Sequence, residues 1–252
     1  MAKKLLSRLT NQIEWKSLLR GFLLFLSLLV LKVAGFTVLP LLLFFIVAFV
    51  VYISEPPERK TLFSSYTILI LSSIFVLMEL PFVFRVWMGV AVMYGLVFFS
   101  IFSFINFRFK NRSFAHGAIQ TVSAFSFLLA LNLVVSFSAQ ELGSLLFLLI
   151  AFFGLFFLLR ESLLFSEGFV GKRGVLISGS ITFLCVELLW MVQFLPLGPI
   201  NTAALVSIFL SLVRDLVITN ERGTANFSFI LRQITIFAIA TLVFFAVSPW
   251  NL

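Results

Sequence analysis

The chain is short of almost everything an active site is built from. It has one cysteine (Cys185), one histidine (His116) and one aspartate (Asp215), and only 11% of its 252 residues are charged. A single cysteine excludes an intrachain disulfide and a cysteine-based zinc site. With one histidine and no H-E-x-x-H, a zincin-type membrane protease has no ligands. No acidic residues cluster, so carboxylate-held Mg²⁺ for phosphatidyl or phosphoglycosyl transfer has no ligand set. A Ser–His pair would have to use His116 with Ser113 or the Ser178-Gly179-Ser180 stretch, and no third residue stands ready to orient that histidine. No Walker motif is present, so ATP coupling would have to come from another subunit. These gaps predict no catalytic residues, no metal and no cofactor.

What fills the chain instead is apolar. Hydrophobic residues make up 62%, 35 of the residues are phenylalanine, and the mean hydropathy is +1.18. A soluble domain carries roughly 25% charged residues; this chain has too little polar surface to cover a globule in water. In hydrocarbon every backbone N–H and C=O must be paired internally, which leaves helices or closed barrels. Runs such as Leu145–Leu159 do not alternate apolar and polar residues as barrel strands do. The fold class is therefore an all-α, polytopic transmembrane bundle.

Nine spans fit, near 18–32, 36–53, 62–81, 86–106, 117–138, 144–160, 174–196, 201–219 and 228–248. The first two are short for a crossing of about 20 residues, and Lys32, Gly35 and Pro40 interrupt them. One tilted span with a re-entrant piece is the alternative; two short helices account better for the apolar content from Gly21 to Ile53. Alternating the nine spans puts all 18 basic residues except Lys32 and Arg85 on or toward one side. The positive-inside rule makes that side cytoplasmic, with the N-terminus inside and the C-terminus outside. The formal charge of +8 then records topology; it forms no stripe suited to nucleic acid. Residues 1–17 read as a helix lying in the cytoplasmic interface, with Leu5, Leu6, Leu9 and Ile13 on one arc and Lys3, Lys4 and Arg8 off it, facing anionic headgroups. A cleaved leader is the competing reading, and the long basic region argues against it.

Phe75-Val-Leu-Met-Glu79-Leu80 is similar to Phe183-Leu-Cys-Val-Glu187-Leu188, four spans later. An even offset predicts a parallel tandem repeat, residues 18–106 and 117–219, with an extra span at 228–248.

Few polar residues fall inside spans, where a charge costs about 2.5–3.5 kcal/mol on insertion scales. Glu187 leads, with Trp190 and Phe194 following on the same helix face. It is expected either to bind a cation, a proton or a polar group, or to lock helices together. Glu79 and Arg85 flank Pro81 and predict an ion pair at the outer turn, or an outer gate. Asp215 and Arg232 reach similar depth in consecutive spans and predict an interhelical ion pair. Ala203, Ser207 and Ser211 lead up to Asp215 as a stripe permitting close approach, and Arg214 is expected to snorkel to headgroups. The fifth span is the most polar, with Thr121, Asn132 and Ser136 on one face; Asn132 is expected to donate between helices.

The stretch Glu187-Leu-Leu-Trp190-Met-Val-Gln-Phe194-Leu195-Pro196 resembles a segment of small multi-pass bacterial membrane proteins of no assigned activity. The likeness covers roughly the last three spans. It implies a bacterial cytoplasmic-membrane protein and carries no activity with it. The expected function is a non-catalytic transporter or permease-like subunit. The alternative is a structural or assembly subunit with membrane-protein partners. A membrane-embedded lipid-modifying enzyme comes third, opposed by the missing acids and histidines.

Overall fold

The computed structural model describes residues 15–54, 62–80, 84–106, 112–137, 141–164, 171–195 and 197–247. Among these residues all regular structure is helical. The elements run α1 (Trp15–Val33), α2 (Val38–Ile53), α3 (Phe63–Glu79), α4 (Phe84–Asn106), α5 (Arg112–Phe137), α6 (Glu141–Leu164), α7 (Lys172–Val192), α8 (Gly198–Glu221) and α9 (Phe227–Val247). Each apolar segment read from the sequence falls on one of them. Five have the length and apolar composition to cross a membrane: α5 to α9, over Gly117–Val134, Leu146–Leu164, Lys172–Val192, Gly198–Glu221 and Phe227–Val247. Shorter apolar helices occupy Val38–Ile53, Phe63–Glu79 and Val86–Ile101. The molecule is a helical bundle of membrane-protein character. The interfacial segment expected at 1–17 lies outside the described residues, apart from its last three, which open α1.

The chain divides into two compact units: Met1–Phe63 with Ser73–Ala115, and Ser64–Ser72 with His116–Leu252. Helix α3 contributes to both. In the first unit α1 packs along α4 and against α2. The α1–α4 contact is antiparallel and reciprocal. Phe99 lies against Gly21, where an added Cβ would sit 2.9 Å from its backbone Cα, and Phe25 lies over Gly95, 3.1 Å from where that Cβ would be. Each glycine is the hole for the other helix's phenylalanine. A turn at Gly35 and Phe36, both with positive φ, reverses the chain into α2.

The second unit has a continuous apolar core from α5 (Ala124, Leu128), α6 (Phe147, Ala151, Leu155, Leu158, Leu159), α7 (Ile181, Cys185, Leu189) and α8 (Ala203, Val206, Leu210). Of the five long apolar helices α5 is the most enclosed, as its polar content suggests, whereas no residue of α9 is fully buried. Small residues set the spacing: Ala203 and Ser207 of the α8 stripe are buried, and Ser207 turns its hydroxyl back to Ala203 O at 2.6 Å. That i−4 bond lets a serine sit in an apolar wall without an orphaned donor.

The reciprocal packing predicts a contrast within α1 and α4. Gly21→Ala meets backbone and should lower stability by about 1–3 kcal/mol. Gly89→Ala, with nothing within 4 Å of its added Cβ, should be neutral. Thermal melting in detergent, read by the loss of the monodisperse gel-filtration peak, checks both.

Candidate functional site

Three charged side chains are buried in the described residues, and none was the leading candidate from the sequence. Lys32 is 4% exposed, Glu161 7% and Arg214 6%. Each is seated on helix backbone or on a helix-borne amide.

The first turn of α3 has no local cap: Leu62 precedes it and offers no side-chain acceptor. Its free N–H groups are the orphans of any helix start. Glu161, one turn from the end of α6, supplies the missing acceptors. Oε1 accepts from the Ser64 N–H at 2.8 Å, and Oε2 from the Ser65 N–H at 2.8 Å and from the Ser65 hydroxyl. At the other end of α3, Lys32 Nζ donates to Leu77 O at 2.6 Å and Leu80 O at 2.9 Å, with the Phe36 ring 5.7 Å away. A carboxylate at the N-terminus and an ammonium at the C-terminus both complement the helix dipole. Lys32 and Glu161 therefore act as remote caps. In the sequence Lys32 interrupts the apolar run, and the sixth span ends at residue 160, leaving Glu161 just outside it.

Arg214 holds the third site. Its Nη1 donates to Gly117 O at 2.9 Å and to Gln120 Oε1 at 2.8 Å, and Nε and Nη2 reach Asp215 Oδ1 at 2.9 and 2.7 Å. Gly117 makes room for it: a Cβ there would lie 2.7 Å from Nη2. Thr121, one turn on, shares a hydrogen bond with Ser211. The α5–α8 seam is thus closed by two polar contacts one turn apart. At the same helix ends Arg173 of α7 pairs with Glu221 of α8 at 2.6 Å. Near this seam and deeper in the second unit, Gln120 Nε2, Ser123 Oγ and Thr182 Oγ1 are buried without a hydrogen-bond partner.

Several expectations need correction. Asp215 does not pair with Arg232; it binds its neighbour Arg214, and Arg232 stands over the Phe229 ring at 5.5 Å on the exposed α9. The arginine side chain is long enough to fold back along its own helix, so the shortest ion pair wins over the interhelical one. Arg214 does not snorkel; the carbonyl and amide it finds inside satisfy it. Asn132 is buried, and its side-chain amide donates to Leu128 O of its own helix at 2.7 Å. His116, just outside the span expected at 117–138, lies on α5, which starts at Arg112. Glu79 is the last, half-buried residue of α3; the side chains of Arg85 and Ser136 lie outside the described residues, and with Arg85 the Glu79 pair.

Glu187 is neither sealed between helices nor part of the seam. It is exposed on α7, among exposed Phe183, Leu184, Trp190 and Met191. Trp190 packs edge-on against Phe194, ring centroids 5.3 Å apart. Carboxyl, indole and phenyl ring form one outward face. Comparison with known protein families, curated proteins and solved structures returns no match for the chain.

The seam geometry makes two energetic predictions. Gln120→Ala and Arg214→Ala should be non-additive by about 1 kcal/mol or more, because they remove one hydrogen bond from two sides. Asp215→Asn and Arg232→Gln should be additive within about 0.5 kcal/mol. Cys185 is the sole cysteine and fully buried; its temperature-dependent labelling by a thiol dye reports unfolding of the second unit in detergent and measures both cycles.

Proposed function

We propose that this chain is a non-catalytic integral membrane protein of the bacterial cytoplasmic membrane that serves as an assembly subunit, engaging a helix of another membrane protein through the outer face of α7. All nine helices cross the bilayer in this reading, N-terminus inside and C-terminus outside. The alternation of helix ends agrees with it: α5 N-terminal residues meet α8 C-terminal residues, and α7 begins beside the end of α8. A tandem four-span arrangement is kept with it on the likeness of the Glu79 and Glu187 segments; one boundary between the two compact units falls at Ala115, while Ser64–Ser72 of α3 belongs to the second unit.

The observation that carries the reading is the exposed Glu187. A carboxyl group facing lipid in an otherwise apolar helix has no compensating contact from its own chain's core, and the cost of holding it there is on the order of 2.5–3.5 kcal/mol. A partner helix carrying a basic or hydrogen-bond-donating residue removes that cost, and Trp190 and Phe194 add a flat aromatic surface suited to a cation. The buried charges, by contrast, are already seated on helix ends and on the α5–α8 seam.

The transporter reading keeps one supporting observation. Gln120 Nε2, Ser123 Oγ and Thr182 Oγ1 are the kind of unpartnered interior atoms that water or a small polar solute would use.

A photo-crosslinking amino acid at position 190 tests the choice in native membranes. One discrete protein adduct in high yield is expected, reduced at least tenfold by Glu187→Leu, with only lipid adducts from a probe at Ile239 on the exposed α9. Lipid adducts alone at position 190, together with solute flux that falls in Thr182→Val, would favour transport.

A further inference from the structure

The second unit holds three polar groups in its interior that its own helices leave unanswered. Gln120 is 2% exposed, and Ser123 and Thr182 are fully enclosed. Gln120 Nε2, Ser123 Oγ and Thr182 Oγ1 have no hydrogen-bond partner among the described residues. A helix offers a buried hydroxyl a ready acceptor, the carbonyl one turn back. On α5, α7 and α8, Thr121, Ser178 and Ser207 take it, donating to Gly117 O, Gly174 O and Ala203 O at 2.9, 2.7 and 2.6 Å. Ser123 and Thr182 forgo it. The Gln120 amide is fixed as well. Its Oε1 accepts from Arg214 Nη1, an atom that can only donate, so Nε2 faces the other way as a donor.

The three groups share one level of the unit. The Arg173–Glu221 pair sets α7 against α8, and the Thr121–Ser211 contact sets α5 against α8. At the ordinary rise Ser211 stands about 15 Å from Glu221 along α8, and Thr182 about 13 Å from Arg173 along α7, in the same direction. Gln120 and Ser123 lie within about 3 Å of rise on either side of Thr121. All three therefore fall within about one helical turn of depth. Their chain neighbours Ala124 and Ile181 belong to one apolar core.

The molecule that answers these groups must accept from an amide N–H and exchange hydrogen bonds with two hydroxyls. Negative charge is not called for, because Arg214 is already held by Gly117 O, Gln120 Oε1 and Asp215. A small neutral molecule that both accepts and donates is water, which makes about three hydrogen bonds in a protein interior.

We propose that the second unit binds internal water at the level of Thr182, accepting from Gln120 Nε2 and linking Ser123 Oγ of α5 to Thr182 Oγ1 of α7. Water held there satisfies all three atoms without a transported solute. The site is separate from the outer face of α7, since Thr182 is buried and Glu187 exposed.

The sign of a stability change tests it. Removing a dry, unpaired hydroxyl relieves a desolvation penalty, whereas removing one partner of a bound water strands the others. Thr182→Val, which keeps the shape of the side chain, and independently Ser123→Ala should each lower Tm in detergent by about 2–4 °C, read by thiol-dye labelling of Cys185. X-ray-generated hydroxyl radicals give a second readout, because radiolysis of a bound water oxidises side chains that bulk solvent does not reach. Cys185 lies about one turn beyond Thr182 and is fully buried. Its oxidation in the folded full-length chain, measured by mass spectrometry, should fall at least fivefold in Thr182→Val and persist in Thr182→Ser, which keeps the hydroxyl. A Tm raised or unchanged by either Thr182→Val or Ser123→Ala overturns the proposal. So does Cys185 oxidation that is equal in Thr182→Val and the unaltered chain. A Tm that rises when chloride replaces gluconate, in the unaltered chain but not in Thr182→Val, would give the site to an anion and also overturn it.

Discussion

A helix that ends inside an apolar medium leaves N–H and C=O groups that water cannot reach, and this chain meets that deficit with charge brought from a distance. Glu161 closes the start of α3, which has no cap of its own. Lys32 closes its end. α3 has only 17 residues, about 25 Å at the ordinary rise, and hydrocarbon is roughly 30 Å thick. The backbone groups at its two ends need partners, and the two buried charges supply them. Holding α3 in this way fixes α6 relative to its first turns in the second unit, and α1 relative to its last turns in the first.

Arg214 closes no helix end. It is a cation at the α5–α8 seam, admitted by Gly117 and satisfied by a carbonyl, an amide oxygen and the adjacent carboxylate. With Thr121 and Ser211 it forms a polar band near one end of the second unit, below an apolar core built from leucine, alanine and Cys185. The buried charges are thus structural by the contacts they make. Glu187, in contrast, is exposed. Its position on the open face of α7 is what sets it apart from the others as a candidate for recognition.

The helix order was legible from hydropathy, because apolar runs without alternation leave no other fold in lipid. The enclosed position of α5 followed from its Thr, Gln, Ser and Asn content. What could not be read was which charge goes where. A hydropathy profile treats a charge as a boundary, so α6 stops at residue 160, whereas the helix runs on to Leu164 because Glu161 finds partners on α3. Lys32 looked like a break in α1 for the same reason. The Asp215–Arg232 pairing rested on equal depth, and depth alone does not know that Arg214 can fold back along its own helix. The exposure of Glu187 depends on which faces α6 and α8 cover, a packing choice that Leu- and Phe-rich surfaces do not announce.

The buried charges Glu161 and Lys32 terminate α3, and the coupling between Glu161 and Ser65 tests this most directly. A double-mutant cycle of Glu161→Gln and Ser65→Ala, followed by thiol-dye labelling of Cys185 during unfolding, should give a coupling of about 1 kcal/mol or more, as expected for a hydrogen bond to a charged group. Full additivity would mean that the carboxylate does not bind the Ser65 hydroxyl at the start of α3, and would contradict the contact on which this capping rests.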